Sequence, residues 1–230
     1  VKYYLIPLLI CLQLPLGAQV LSSFGADFTR SVTADSLVEQ SSGKLRIQFP
    51  DDVMVFVSSP VKQWLHYSRE QLLIYYPEEE KLFRLDRPST QAPPFISAVM
   101  AAVREDFGLS ELGFTIGSSS ARGDTLRICW QAPDSLQQAI GRVELQYLGR
   151  QLTSSHSYDI RDSLVLANRY DGHFDHQGYQ IPLRISLWQK TGQGGKREEI
   201  VYSDPVFDQD YSALLLQFRL LEQRIPDGER

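Results

Sequence analysis

From Leu21 to Leu85 the chain alternates between apolar and polar positions with a period of two, interrupted at short intervals by turn residues. Phe24, Ala26 and Phe28 share one face and Arg30 marks its polar end, which predicts a strand over Leu21 to Thr33. A polar turn rich in Ser, Asp and Gln precedes "KLRIQF", where Leu45, Ile47 and Phe49 face one way and Lys44, Arg46 and Gln48 the other. Pro50 and Asp51 end that strand. "VMVFV" is apolar on both faces, so something other than water must cover each side of it. "KQWLHY", "QLLIYY" and "KLFRL" follow, divided by Ser68-Arg69-Glu70 and Pro77-Glu78-Glu79-Glu80, and the whole reads as an antiparallel meander with short hairpins.

The period then changes. "PPFISAVMAAVREDFG" opens on prolines and carries Phe95, Val99, Ala102 or Val103 and Asp106 or Phe107 at helical spacing, with Gly108 as a stop; it predicts one amphipathic helix over Pro94 to Phe107. Strand-like runs resume with "GFTIGS", "TLRICW", "RVELQYL", "QLTSSHSYDI", "SLVLANRY", "IPLRISLW", "EEIVYS" and "ALLLQFRL". About a dozen strands and one clear helix, with no linker between them, predict a single domain that is mainly β with an α+β character. The expected form is a curved antiparallel sheet, an incomplete β-barrel covered by one or a few helices.

The start of the chain has its own pattern. Lys2, an apolar run from Tyr3 to Leu16 and a small Gly17-Ala18 pair have the layout of a secretory signal peptide, expected to be cleaved after Ala18 to leave residues 19–230 as the mature domain. Pro7, Gln13 and Pro15 make that run a poor membrane span. Periplasmic localisation is the corresponding expectation. Of the two cysteines only Cys129 then survives, so no internal disulfide forms and the core must stabilise the fold alone. A formal net charge of −5 argues against nucleic acid and anionic membrane surfaces as partners, and a monomer is expected.

Candidate chemistry is sparse. "YDGHFDHQGY" gathers Asp171, His173, Asp175 and His176, possible metal ligands by type, but Gly172 and Gly178 flank them and the segment reads as a solvated hairpin turn. "GQGGK", Gly192 to Lys196, lacks the following Ser or Thr and the helix of a phosphate loop, and reads as a hairpin tip. Cys129 beside Trp130 reads as a structural thiol, and Ser157, His156 and Asp159 lack the strand-to-helix elbow that presents a catalytic serine. No catalytic residue, metal or cofactor is predicted.

What the chain has in surplus is aromatic side chains: Phe24, Phe28, Phe49, Phe56, Trp64, Tyr67, Tyr75, Tyr76, Phe83 and Phe95. They make either an ordinary core or the lining of a cavity on a curved sheet that its helices do not fill.

Several short patterns resemble the LolA family. "SSFGADFTRSV" is similar to that family's first strand through Phe24, Phe28, Thr29 and Arg30; "SGKLRIQFP" is similar to its second through Gly43, Leu45 and Pro50; and Pro60 followed by a hairpin closing on Tyr75 and Pro77 is similar to its third element. Two departures stand out: Phe49 occupies the place before Pro50 where the family usually has Arg, and only Gln19 and Val20 would precede the first strand where the family has a helix. The resemblance implies an incomplete barrel with a helical lid, and a hydrophobic cavity for the acyl chains of lipoproteins or lipids. It also implies an inner-membrane release complex and an outer-membrane acceptor as partners. Phe28, Leu45, Ile47, Val55, Trp64, Tyr75, Phe95 and Val99 are the expected lining. The rivals are a LolA-like lipid-binding or envelope-sensing interaction domain without transport, and, remotely, a metal-dependent enzyme using His173 and His176.

Overall fold

In the computed structural model, residues 21–34, 37–86, 99–100, 104, 106–192 and 194–223 are described. The expected signal segment and most of the expected helix over Pro94 to Phe107 lie outside them, though Val99 and Met100 are helical. Thirteen strands form one antiparallel sheet, curved but not closed. The first six are β1 (Ser23–Ala34), β2 (Leu37–Gln48), β3 (Asp52–Ser59), β4 (Gln63–Tyr67), β5 (Gln71–Tyr76) and β6 (Lys81–Asp86). The other seven are β7 (Thr115–Arg122), β8 (Thr125–Gln131), β9 (Arg142–Leu148), β10 (Gln151–Tyr158), β11 (Leu164–His176), β12 (Tyr179–Thr191) and β13 (Gly194–Phe207). Helix α1 (Ser212–Glu222) follows.

The order β6-β5-β4-β3-β2-β1-β13-β12-β11-β10-β9-β8-β7 contains a single neighbour pair distant in sequence, β1 with β13. The chain therefore starts in the middle of the sheet, meanders to one edge, crosses to the other edge, and meanders back to its starting strand. Every other pairing is a hairpin between consecutive strands, the arrangement that turn-divided apolar runs specify most directly.

One face of the sheet holds a continuous apolar cluster. Phe24, Ala26 and Phe28 of β1, Leu45 and Ile47 of β2, and Val53, Val55 and Val57 of β3 meet Ile200 and Tyr202 of β13, Ile185 of β12, Tyr170 of β11 and Leu145 of β9. That strands from both halves contribute to one cluster identifies this as the inner face of the curve. The chain crossing between the two edges adds Val99, Leu109 and Phe114 to the same cluster, with Met100 and Phe107 packed against it; the Phe107 ring meets Tyr170 edge-on at 6.0 Å.

Over β3 to β5, α1 covers the outer face. Phe218, 1% exposed, packs with Met54 and Leu73 under the helix, flanked by Phe56, Trp64, Leu214 and Leu215. The two-sided burial expected of "VMVFV" has this cause: Val53, Val55 and Val57 face the inner cluster, Met54 and Phe56 face α1. "ALLLQFRL" is thus a helix and not the strand its apolar run suggested. Leu214, Leu215, Phe218 and Leu221 recur at three- and four-residue spacing, which puts them on one helical stripe.

Two glycines are required by close approach. A Cβ on Gly43 would strike the carbonyl oxygen of Phe56 at the register shift between β2 and β3, and one on Gly25 would strike the Tyr211 hydroxyl ahead of α1.

Candidate functional site

Alternation along the strands sets which side chains reach the inner face. In β4 it selects Gln63, Leu65 and Tyr67, which pair across to Val57, Val55 and Val53 of β3. In β5, Tyr75 pairs with Trp64 and points the other way, and its neighbour Tyr76 takes the inward place. Between β1 and β5 these residues enclose a cavity of about 730 Å³. Its apolar wall is Phe28, Val55, Val57, Leu65, Tyr67 and Tyr76; Arg30, Glu39, Gln40, Ser41 and Gln63 supply polar groups, and Pro60 and Val61 complete the rim. The volume lies within the roughly 300–1,000 Å³ of small-molecule sites, and an apolar wall with a few polar groups is their usual composition.

The expected lining residues divide into groups. Phe28 and Val55 line this cavity. Leu45, Ile47 and Val99 lie in the adjoining apolar cluster and are at most 1% exposed, so they are packing rather than wall. Phe95 falls outside the described residues.

Trp64 and Tyr75 require correction: they lie on the outer face, where Trp64 meets Phe56 at 5.8 Å and Tyr75 at 5.5 Å beneath the helix. Their neighbours Leu65 and Tyr76 take the inward places. Strand parity, counted from Leu65 and Tyr67 opposite Val55 and Val53, carries that signal in the sequence. Phe56 and Trp64 of the aromatic surplus therefore serve α1, not the cavity.

A buried ion cluster adjoins the cavity's polar end. Arg30 donates from Nε to Glu198 Oε1 at 2.7 Å, while Lys196 Nζ lies 3.6 Å from the other carboxylate oxygen. The Glu198 side chain is only 4% exposed. Nearby, the Tyr202 hydroxyl is buried with no hydrogen-bond partner among the described residues, and its pKa is pushed up by that burial and secondarily by the charge of Glu198. Further along the inner face, Asn168 donates to Ser155 Oγ at 3.0 Å, and Ser155 shares a hydrogen bond with Tyr170 at 3.1 Å.

The other candidate chemistry resolves into structure. The segment expected to be a turn at Asp171 to His176 is the end of β11, and only Gln177 and Gly178 turn. His173 Nε2 meets the Leu152 carbonyl at 2.8 Å; His176 Nε2 meets Asp208 Oδ2 at 3.0 Å with its ring stacked 4.1 Å from that of Phe207. The two histidines engage different partners. Among the described residues no group of three or more His, Cys, Asp or Glu side chains is placed to hold a metal ion. Gly192 to Lys196 spans the tip joining β12 to β13, and Cys129 is half-buried in β8 beside the buried Trp130. A second depression, about 700 Å³, is lined by Ser, Thr, Gln, Arg and Glu side chains together with Ala167, Leu187 and Trp188, from β1 and β9 to β13.

No protein-family model and no curated protein sequence matches the chain. Solved structures do. A DUF1329 family protein from Desulfovibrio piger superposes with a TM-score of 0.62 at 14% identity, over 86% of this chain and 93% of the other. A LolA superfamily protein from Nitrosomonas europaea gives 0.60 at 13% identity, over 84% and 90%. A putative outer membrane lipoprotein-sorting protein domain from Vibrio parahaemolyticus gives 0.61 at 10% identity, over 89% and 93%. At such identities the likeness is one of fold, and the fold is LolA-like.

Proposed function

We propose that this LolA-like chain is a periplasmic binding protein that holds an acyl chain of a lipid or lipoprotein in its inner-face cavity and carries it toward the outer membrane. The observation that supports the reading is the cavity itself: about 730 Å³ walled by Phe28, Val55, Val57, Leu65, Tyr67 and Tyr76, with polar groups gathered at one end. An acyl chain gains ~0.8 kcal/mol for each methylene taken from water and asks for no reactive group, which suits a wall of this composition. The solved structure described as a lipoprotein-sorting domain has the same fold and supports the same class of cargo.

Phe49, in the place where LolA proteins usually carry Arg, packs against the inner apolar cluster. Whatever closing contact an arginine would make there, this chain replaces it with apolar packing.

A second reading, an interaction domain whose inner face is filled by its own side chains, is favoured by the complete burial of Leu45 and Leu145 in the same cluster. Native mass spectrometry of the protein purified from the cell envelope, paired with titration of an apolar fluorescent probe, separates the two. Co-purified lipid and saturable probe binding lost in Val57→Asp support the carrier reading. A protein that comes out bare and binds no probe overturns it.

A further inference from the structure

The polar end of the cavity has an order. Along the inner face of β1, Phe28 is followed two residues later by Arg30, and both line the cavity. Arg30 pairs with Ser41 of β2, and the next inward position toward the hairpin tip pairs Val32 with Glu39. Arg30 and Glu39 are diagonal neighbours on one face, about 7–8 Å apart at the backbone. Going from the apolar wall to the tip, the cavity therefore offers hydrocarbon, then a cation, then an anion.

The cation is fixed in place. Glu198, with its side chain 4% exposed, takes the Arg30 Nε–H at 2.7 Å and has Lys196 3.6 Å away on its other oxygen. One buried carboxylate thus holds two cations beside the cavity. A buried carboxylate is costly unless paired, so this arrangement keeps the arginine oriented whether or not a ligand is present. Glu39 is exposed on the neighbouring strand, where it adds a negative charge farther out. Ser41, paired with Arg30, presents a neutral hydroxyl beside the guanidinium, while Gln63 stands level with Phe28.

We infer that the occupant is a zwitterionic phospholipid of the phosphoethanolamine type: acyl chain against Phe28, Val55 and Leu65, phosphate at Arg30, ammonium at Glu39. The sequence of groups in such a lipid is the sequence of groups in the cavity, with a phosphate to meet the guanidinium and an amine to meet the carboxylate. A fatty acid would satisfy Arg30 and leave Glu39 facing its carboxylate end. An anionic phosphoglycerol head would place hydroxyls where the carboxylate stands. The inference rests on the acyl-chain reading of the cavity and adds to it the identity of the head group.

The test uses the full chain and three soluble single-chain probes of equal chain length: lysophosphatidylethanolamine, lysophosphatidylglycerol and the free fatty acid. They are offered in equimolar mixture and read by native mass spectrometry, then singly by calorimetry. The wild type is expected to prefer the ethanolamine lipid over the glycerol lipid by about tenfold, the scale of one charged hydrogen bond. Glu39→Lys, at an exposed position, is expected to fold normally and to reverse the preference toward the glycerol lipid. Arg30→Gln combined with Glu198→Gln is expected to lower binding of both phospholipids and of the fatty acid, because each loses its pairing with the guanidinium. Equal binding of all three by the wild type, or a preference for the glycerol lipid or the fatty acid, overturns the head-group inference and leaves the acyl-chain reading standing. Binding of none of the three overturns both.

Discussion

At the scale of single residues, the strictest demand in the fold is the absence of a side chain at Gly43. A Cβ there would meet the Phe56 carbonyl oxygen, which belongs to the backbone of the neighbouring strand β3 and cannot swing aside. Gly43→Ala is expected to destabilise the protein by about 1–3 kcal/mol through overpacking, read as a lower urea midpoint at unchanged slope. An unchanged midpoint would mean that β2 and β3 separate there at no cost. Asp208 makes a different demand. The Ser22 amide first, and then the His176 ring, hold its carboxyl below the usual carboxylate range, at distances of 2.9 and 3.0 Å. Since the folded pKa is the lower one, the stabilisation is present above the unfolded value near ~4 and is lost as pH falls through the folded value. Asp208→Asn should therefore unfold with a shallower loss of stability below pH ~4 than the wild type. Equal slopes in the two proteins would remove the carboxylate from that account.

Between elements, the helix α1 decides how much of the meander is buried. Phe218→Ala removes the one fully buried side chain of α1 from a site shared with Met54, Leu73 and the His66 ring, 5.1 Å away. The expected cost is ~3–5 kcal/mol, with ligand binding unaffected because the cavity is on the opposite face. Trp64→Ala, half-buried in the same cluster, should cost less than that and likewise spare the cavity; loss of ligand without loss of stability would contradict the outer-face placement. The sequence pattern reads these elements unevenly, and the reasons are local. β5 and β9 begin and end where their apolar runs do, at Gln71–Tyr76 and Arg142–Leu148, because Ser, Gly and Pro turns flank them. β2 extends back to Leu37 through residues that read as a polar turn, and β11 extends through Asp171 to His176. In those strand ends Leu37, Val38 and Phe174 are exposed among polar residues and do not alternate with them, so the period is silent, and the neighbouring strand supplies the pairing. In α1 the error is of period: three consecutive leucines satisfy a strand and a helix equally, and only the spacing of Phe218 from Leu214 and Leu215 separates them. For the cavity, composition pointed to aromatic residues in general, whereas parity decides between Leu65 and Trp64.

Taken whole, the molecule is one sheet with a single seam. Phe24 pairs with Phe207 and Phe28 with Tyr202, so the first and last strands close on each other while every other strand pairs with its sequence neighbour. Both halves contribute to one apolar cluster, which predicts a single cooperative transition. Far-ultraviolet circular dichroism and tryptophan fluorescence should give coincident unfolding curves; separate midpoints for the two halves would show that β1 and β13 part first.

That seam also bears on the order in which the chain is made. The first six strands exist before the seven that follow, yet β1 stands at an open edge until β13 arrives, and the outer face of β3 to β5 stays bare until the residues of α1 arrive. A nascent chain released segment by segment, from a ribosome or through a membrane channel, thus has no stable stopping point short of its last strand and helix. A chain ended after Thr191 should fail to give dispersed amide signals in nuclear magnetic resonance at any temperature, whereas adding back the missing segment as a separate peptide should restore them.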